Sequence, residues 1–383
     1  MNKPRNPFIL GHRISRPFFC DRENEQKALT SAIINGRNVV LISPRRMGKT
    51  SLAYVSISDS EEIKNDYITF FIDILQTGSL AEFTFLLGKV VFDTLAAKSE
   101  TRVRGFLAAL KSLKGSFGFD AISGTPTFNI QLGDIKHPEY TLDEIFSYIE
   151  QCEKPVVIVI DEFQQITKYP EKNVEALLRS HIQRLSNASF VFAGSERTIL
   201  QEMFASSKRP FYNSAEIMHL GPIDEDIYVN FAQKQFSDYG KSLEDAPVRL
   251  AFQLFEGNTF YMQRAMNIAF AETSRDDVCG EETIRRAIKS MVAANDVVFR
   301  EILSNMSVHQ KLTLYSIASE RSVVNPLSGK FVKDHSLPSA SSVQSALLKL
   351  TKSGIVTKTE SGYIMTDPLF RIFINGEYSV PEI

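Results

Sequence analysis

Residues 38–52 read NVVLISPRRMGKTSL. The apolar, β-branched run at 39–42 predicts a buried strand, Ser43-Pro44 interrupts it, and Gly48-Lys49-Thr50 opens a segment that can form a helix. In a strand, tight loop and helix of this kind, the loop N–H groups and the positive end of the helix dipole converge where an anion can bind. The stretch therefore predicts a phosphate-binding loop.

Each residue type in this loop suits one part of a nucleotide. Gly48 lets the backbone approach the phosphates, Lys49 reaches the β and γ oxygens, and the Thr50 hydroxyl helps to hold Mg²⁺. The usual pattern is Gly-x-x-x-x-Gly-Lys-Ser/Thr, and this chain has Ser43 at the first glycine position. The loop residues expected to contact ATP are Ser43, Pro44, Arg45, Arg46, Met47, Gly48, Lys49, Thr50 and Ser51.

A chance Gly-Lys-Thr tripeptide in a surface loop is the alternative interpretation. A buried-type strand precedes this tripeptide and an apolar helix start follows it, which is the context that the motif requires. The context favours nucleotide binding.

Composition limits the class of protein. At 383 residues the chain is too long for one ordinary core, and two or three domains are expected. The hydrophobic fraction of 43% and the charged fraction of 23% are typical of a soluble globular protein. A formal net charge of -2 supplies no overall positive field for nucleic acid, so any contact with DNA requires a local basic patch.

The cysteines and the chain's start indicate the compartment. Cys20, Cys152 and Cys279 are odd in number and far apart, which argues against a disulfide framework or a zinc site. The start has no apolar segment of signal-peptide length, and no later run approaches the ~18 apolar residues of a membrane span. We therefore expect a cytoplasmic protein without membrane contact.

The strand signal at 155–160, PVVIVI, is the strongest in the chain and ends at Asp161-Glu162. In open α/β sheets, ligands bind beyond the carboxyl ends of the strands. Asp161 is expected to coordinate Mg²⁺ through water, and Glu162 to polarise an attacking water as general base. A solvated acidic turn is the alternative, and the Lys-Thr loop elsewhere in the chain counts against it.

Other candidates have two interpretations each. Ser195 follows a buried strand at 189–194, and it either senses the γ-phosphate and places the water or belongs to an ordinary turn. Arg209 precedes the last core strand, and it is either an arginine finger, in cis or in trans, or a solvated charge. Phe19 is either a cover for the adenine ring or a core anchor, and with Arg22 it is the candidate nucleotide contact ahead of the loop.

The remaining segments suggest three domains, with boundaries at 1–222, 223–300 and 301–383. Residues 68–74 predict a second buried strand, 79–114 predict helix, 115–132 predict an inserted hairpin, and 142–151 predict a further helix. Residues 224–291 read as helices interrupted at Glu256-Gly257-Asn258, a small lid in which Arg264 is a candidate γ-phosphate sensor.

The C-terminal part has a helix, a polar loop, a second helix and a β-wing, which is a winged-helix pattern. The polar residues of its second helix and wing could meet DNA phosphates as a recognition helix does, and contact with a protein is the alternative. These residues are Ser341, Ser342, Gln344, Ser345, Lys349, Lys352 and Lys358.

In motif order, the chain resembles the AAA+/STAND-type P-loop ATPases called archaeal ATPases. The matching segments are PFFCDRENE, SPRRMGKTSL, VVIVIDEFQ and GYIMTDPLFRIFI. The resemblance implies an α/β fold with an ASCE-type parallel core, a helical lid and a winged helix. It also implies that Lys49, Thr50, Asp161 and Glu162 bind and hydrolyse ATP. Asp21, Ser43 and Thr259 depart from the family's glycine, glycine and proline.

Together these features predict an ATP-binding, slowly hydrolysing, Mg²⁺-dependent switch that alternates between ATP and ADP and can form nucleotide-dependent oligomers. One alternative is an ATP-regulated DNA-binding protein, such as a replication or transposition loader or regulator. Another is a nucleotide-binding scaffold that does not turn over, and Glu162 counts against it.

Overall fold

The computed structural model describes residues 4–11, 14–113, 118–119, 126–127, 130–359 and 361–376. The chain divides into two compact units, one made of residues 13–221 and the other of residues 1–12 and 222–383. The three-domain boundaries inferred from the sequence stay a prediction.

A parallel sheet forms the centre of the unit 13–221. The strands of this unit are β1 (Val39–Ile42), β2 (Ile68–Asp73), β3 (Gly118–Phe119), β4 (Pro126–Thr127), β5 (Val156–Asp161), β6 (Ala188–Gly194) and β7 (Glu216–His219). Five of them pair in parallel in the order β2-β5-β6-β1-β7. This topology confirms the predicted α/β core with a parallel sheet.

Helices cover both faces of this sheet, which explains why its strands are continuous apolar runs. On β1, Val40 and Ile42 join one buried cluster, whereas Val39 and Leu41 join the other. The helices are α1 (Glu23–Ile34), α2 (Lys49–Asp59), α3 (Glu61–Asp66), α4 (Leu80–Ala96), α5 (Glu100–Ala109), α6 (Pro138–Glu150), α7 (Val174–Arg184) and α8 (Arg197–Ala205).

Two boundaries differ from the sequence prediction. The helical pattern predicted over 79–114 did not locate a boundary at Ser99, which accepts a hydrogen bond from the Arg102 N–H and caps a new helix, α5. The helix expected from Leu142 begins at Pro138, since proline suits the first turn of a helix. The predicted hairpin is confirmed where β3 and β4 pair antiparallel, and residues 114–117, 120–125 and 128–129 lie outside the described residues.

Helices dominate the first part of the other unit. They are α9 (Glu225–Ser237), α10 (Asp245–Phe255), α11 (Thr259–Glu272) and α12 (Glu281–Ala293). In the same part, β8 (Ser242–Leu243) and β9 (Val278–Cys279) pair in parallel. The predicted interruption at 256–258 is confirmed between α10 and α11. The Phe8 ring packs against Phe231, Phe236 and Phe270, so the N-terminal segment belongs to this helical part.

The rest of this unit is a winged helix, as predicted. It consists of α13 (Asp296–Ser304), α14 (Val308–Glu320), β10 (Ser322–Val323), α15 (Gly329–Asp334), α16 (Ala340–Lys352), β11 (Val356–Thr359), β12 (Gly362–Met365) and α17 (Pro368–Ile374). The polar segment expected as a loop after α14 contains β10, which pairs with β12, and the short helix α15. No helix in the described residues is long and apolar enough to cross a membrane.

Candidate nucleotide-binding site

Neighbouring strands of the parallel sheet present polar residues at one edge. β5 ends at Asp161 and continues into Glu162, β6 ends at Gly194 and continues into Ser195, and β1 continues into the loop 43–48. Because these strands are adjacent in the order β5-β6-β1, their carboxyl ends lie side by side. The fold thereby brings most of the predicted site residues together.

The backbone of the loop 43–48 is left-handed at Arg46 and Gly48, at the end of the loop that leads into α2. Gly48 caps α2 with a φ of 86°, a left-handed conformation that costs glycine no Cβ clash. Arg46 also lies in this region, with a φ of 67°. Ser43 lies outside it, so its position does not require the glycine of the usual pattern. Pro44, Arg45 and Arg46 are exposed, whereas Met47 is buried beneath the loop.

The Lys49 ammonium group is held by the loop itself. Lys49 is 6% exposed, and its Nζ donates to the Ser43 carbonyl oxygen at 3.2 Å, the Ser43 Oγ at 3.1 Å and the Pro44 carbonyl oxygen at 3.1 Å. These acceptors occupy all of its N–H donors. Burial lowers the pKa of Lys49, while the carboxylates of Asp161 and Glu162 act in the opposite direction. Lys49 must therefore exchange at least one acceptor to contact a phosphate.

Thr50 and Asp161 bring two oxygen ligands together. The Thr50 hydroxyl donates to Asp161 Oδ2, and the Glu162 N–H donates to Asp161 Oδ1 at 2.9 Å. Burial raises the pKa of Asp161, although the bonds from Thr50 and the Glu162 N–H lower it in part. A hydroxyl and a partly desolvated carboxylate beside a phosphate loop fit Mg²⁺, which prefers oxygen ligands from one or two carboxylates and the substrate phosphates. Ser51, the next residue of α2, is half-buried.

A chain of hydrogen bonds links Glu162 to the phosphate loop. Ser195 Oγ donates to Glu162 Oε2 at 2.8 Å, and Arg45 Nε donates to Ser195 Oγ at 3.2 Å. Gln164 Nε2 donates to the same Glu162 oxygen at 2.5 Å. Sequence reasoning missed Gln164, because Gln164 and Gln165 are adjacent glutamines after β5 and no sequence pattern distinguishes the one that contacts Glu162.

Arg22 and Arg209 make structural ion pairs in this unit. Arg22 is 5% exposed and donates to the Gly221 carbonyl oxygen at 2.5 Å and to Glu25 Oε1 at 2.8 Å. Arg209 Nη2 lies 2.5 Å from Glu175 Oε1, and Arg209 Nη1 lies 3.4 Å from Glu202 Oε1. Their roles toward nucleotide stay predictions, as does that of the half-buried Phe19.

Two family models match parts of this chain. Residues 19–264 match the model of an ATPase domain predominantly from Archaea, and residues 297–376 match a probable winged helix domain. A search of curated proteins found no match.

Solved structures show the same fold at low identity. A Walker-type ATPase of Pyrococcus abyssi has a TM-score of 0.67 and 16% identity, with 96% of this chain and 99% of that chain covered. The ORC2 protein of Aeropyrum pernix, in ADPNP-ADP complexes, has a TM-score of 0.60 and 16% identity, with 98% of each chain covered.

Proposed function

The chain belongs to the family of ATPase domains found predominantly in Archaea, and we propose that it binds ATP with Mg²⁺ and hydrolyses it slowly, as a molecular switch. One observation carries the proposal. Lys49 and Thr50 at the start of α2, and Asp161 and Glu162 at the end of β5, meet at the same edge of the sheet, where Thr50 bonds to Asp161.

The chain's own residues account for ATP binding. The N–H groups of the loop and the start of α2 face the phosphates, and Lys49 contributes the positive charge. Thr50 and Asp161 would hold the Mg²⁺ ion. When bound, Mg²⁺ neutralises charge on the phosphate oxygens.

Glu162 is the general base of the proposed hydrolysis. A water oxygen attacks the γ-phosphorus, Glu162 accepts the water's proton, and the bond from the γ-phosphorus to the bridging oxygen breaks with its electron pair leaving on ADP. Ser195 orients the Glu162 carboxylate through its hydrogen bond to Oε2.

Slow turnover is supported by the contacts that already engage the positively charged side chains of Lys49 and Arg209. Lys49 is bonded to the loop, and Arg209 is paired with Glu175 and Glu202. To act as an arginine finger, Arg209 would have to leave these carboxylates, or an arginine from a second copy would have to take its place. This is why the proposed switch includes nucleotide-dependent oligomers.

Steady-state ATP hydrolysis and ATP affinity of Glu162→Gln and Lys49→Ala test the proposal. We expect Glu162→Gln to retain ATP and to lose turnover by about 100-fold or more, since a general base typically contributes about 100- to 10,000-fold. Lys49→Ala should lose ATP binding. Wild-type turnover in Glu162→Gln would refute the base assignment, and a wild-type protein that binds ATP without turnover would be the non-hydrolysing scaffold.

A second candidate function is ATP-regulated DNA binding, or a protein contact, through the winged helix. Lys349 and Lys352 on α16 and Lys358 on β11 are exposed. A cavity of about 300 Å³ lies beside Lys349, and its lining includes Ser341, Ser342 and Ser345 together with His309. Hydroxyls and lysines of this kind contact DNA phosphates.

A salt series separates the two kinds of partner. Duplex DNA that stimulates ATP hydrolysis, with stimulation that fades as salt rises, would support DNA binding. Replacement of the three lysines by glutamine should abolish this effect. Hydrolysis that is indifferent to DNA at every salt concentration would leave a protein as the partner.

A further inference from the structure

Gln164 lies in the turn that follows β5 and is 1% exposed. Its Nε2 donates to Glu162 Oε2 at 2.5 Å, and the Ser195 hydroxyl donates to the same oxygen at 2.8 Å. One oxygen of the Glu162 carboxylate is thus fixed by two donors from different elements. In the described part of the chain, no hydrogen bond engages the other oxygen, Oε1.

The orientation of the Gln164 amide has an energetic cost. An ionised carboxylate only accepts hydrogen bonds, so the NH₂ group of Gln164 must face Glu162. The amide oxygen of Gln164 then points away, and it is buried without a hydrogen-bond partner among the described residues. A buried carbonyl without a partner destabilises the folded state. Packing alone does not explain a glutamine here, because an apolar side chain of the same length would avoid this cost.

Gly194 provides the space for this amide. A Cβ atom at Gly194 would lie 2.0 Å from the Gln164 amide oxygen and 2.8 Å from Leu200 Cδ1. Contacts this short do not occur, so any other residue at 194 would displace the Gln164 amide. Gly194 also directly precedes Ser195, the second donor to Glu162. The end of β6 therefore supports both donors.

We propose that Gln164 is a positioning residue for ATP hydrolysis, with Gly194 as the residue that makes room for it. Gln164 and Ser195 hold Glu162 Oε2, so that Oε1 is left free to accept the proton of the attacking water. This inference rests on the proposed function of Glu162 as the general base. A base held in one orientation loses less entropy when the reaction begins, and a displacement of about 1 Å can cost about 100-fold in rate.

The test uses Gln164→Met, which keeps the length of the side chain and removes its polar end. We expect kcat to fall about 10- to 100-fold while the affinity for ATP stays unchanged. The melting temperature should be equal or higher, because the unpaired buried carbonyl is gone. A purely structural role for Gln164 predicts the opposite change in melting temperature and no selective loss of kcat.

Gln165→Met is the matched control. Gln165 is the next residue, and its Nε2 donates to the Thr77 carbonyl oxygen at 2.9 Å. This variant should keep wild-type kcat. Gly194→Ala is a second, independent variant that should lower kcat in the same way by displacing the Gln164 amide.

The outcomes separate this inference from the proposed function. Wild-type or increased kcat in Gln164→Met, with Glu162→Gln inactive, would overturn the positioning role and leave Glu162 as the base. Wild-type kcat in Glu162→Gln would refute the base assignment itself. If Gln164→Met does not fold, kcat of Gly194→Ala decides, and a wild-type value would overturn the positioning role.

Discussion

The ammonium nitrogen of Lys49 lies 3.1 Å from the hydroxyl oxygen of Ser43 and donates a hydrogen bond to it. A glycine at position 43 would lack this acceptor. Serine at position 43 therefore adds a hydrogen bond that Lys49 must exchange when it contacts phosphate. Because this bond must break when ATP binds, it should lower the affinity for ATP.

We expect Ser43→Ala to bind ATP about fivefold more tightly, equivalent to about 1 kcal/mol, because the net value of one hydrogen bond is of this size. Alanine removes the hydroxyl and does not add the backbone freedom of glycine. The measurement is calorimetric titration with ATP and Mg²⁺. Equal or weaker binding by Ser43→Ala would contradict this role of the Ser43 hydroxyl.

The long apolar strands were predictable from the sequence, whereas the two-residue strand β10 was not. β5 and β6 are buried on both faces, and their continuous apolar runs identify them without knowledge of the fold. β10 has two residues, too few for any periodicity, and its conformation depends on pairing with β12. Elements of this kind are determined by tertiary contacts.

The candidate site divides in the same way. Lys49, Thr50 and Asp161 could be found because their chemistry follows from fixed positions after a strand. Gln164 could not, because its contact with Glu162 depends on the space at Gly194 on another strand. Asp21 stands in the segment PFFCDRENE where the archaeal ATPase family usually has glycine. Its φ of 58° is a left-handed conformation, which explains why glycine suits this position.

The ion pair between Arg209 and Glu175 predicts a stability effect that is separate from catalysis. The Glu175 side chain is 15% exposed, and burial raises its pKa while Arg209 lowers it. Arg209→Ala should lower the free energy of unfolding by about 1–3 kcal/mol, because Glu175 loses its partner. The measurement is urea unfolding, with Glu175→Gln and the double variant completing a cycle.

The double-variant cycle can contradict the proposed ion pair. Additive losses in the double variant would show that Arg209 and Glu175 do not interact.

A mixing assay tests Arg209 as an arginine finger in trans. If it acts in this way, a mixture of Arg209→Ala and Lys49→Ala should regain ATP hydrolysis that neither variant has alone. No gain on mixing would exclude the trans arrangement.

His181 on α7 predicts a pH dependence of stability. Its ring stacks on Phe146 at 5.1 Å between centroids, and burial lowers its pKa below the ordinary value of 6.5, with Arg184 acting in the same direction and Asp143 against it. Below pH 6.5 the unfolded chain binds a proton that the folded chain does not, so the free energy of unfolding should fall on acidification until the pH is below the folded pKa.

His181→Phe keeps an aromatic ring on Phe146 and cannot titrate. Urea unfolding between pH 7.5 and 5.5, buffer values set by the ordinary histidine pKa of about 6.5, should show a smaller loss of stability in this variant than in the wild type. An identical pH slope in both proteins would contradict the assignment to His181.

Arg371 on α17 predicts that the helical part and the winged helix of their shared unit unfold together. Arg371 is 5% exposed, its Nη2 donates to the Leu254 carbonyl oxygen at 2.8 Å, and it pairs with Glu256 at 3.0 Å. Its contacts join the winged helix to the end of α10. Arg371→Met should therefore cost about 2–4 kcal/mol, since a buried carbonyl loses its donor and Glu256 loses its partner.

Scanning calorimetry with Lys234→Met as the control tests this coupling. Lys234 forms an exposed i,i+4 pair with Asp238, and its loss should cost less than about 0.5 kcal/mol.

A milder variant, Tyr261→Phe, removes the hydrogen bond from the Tyr261 hydroxyl to Asp367 at the start of α17 and should cost about 1 kcal/mol. If the winged helix moves with the lid during the ATP cycle, Arg371→Met should also split their shared transition into two. A single transition at the temperature of the control would mean that α17 does not couple the two parts.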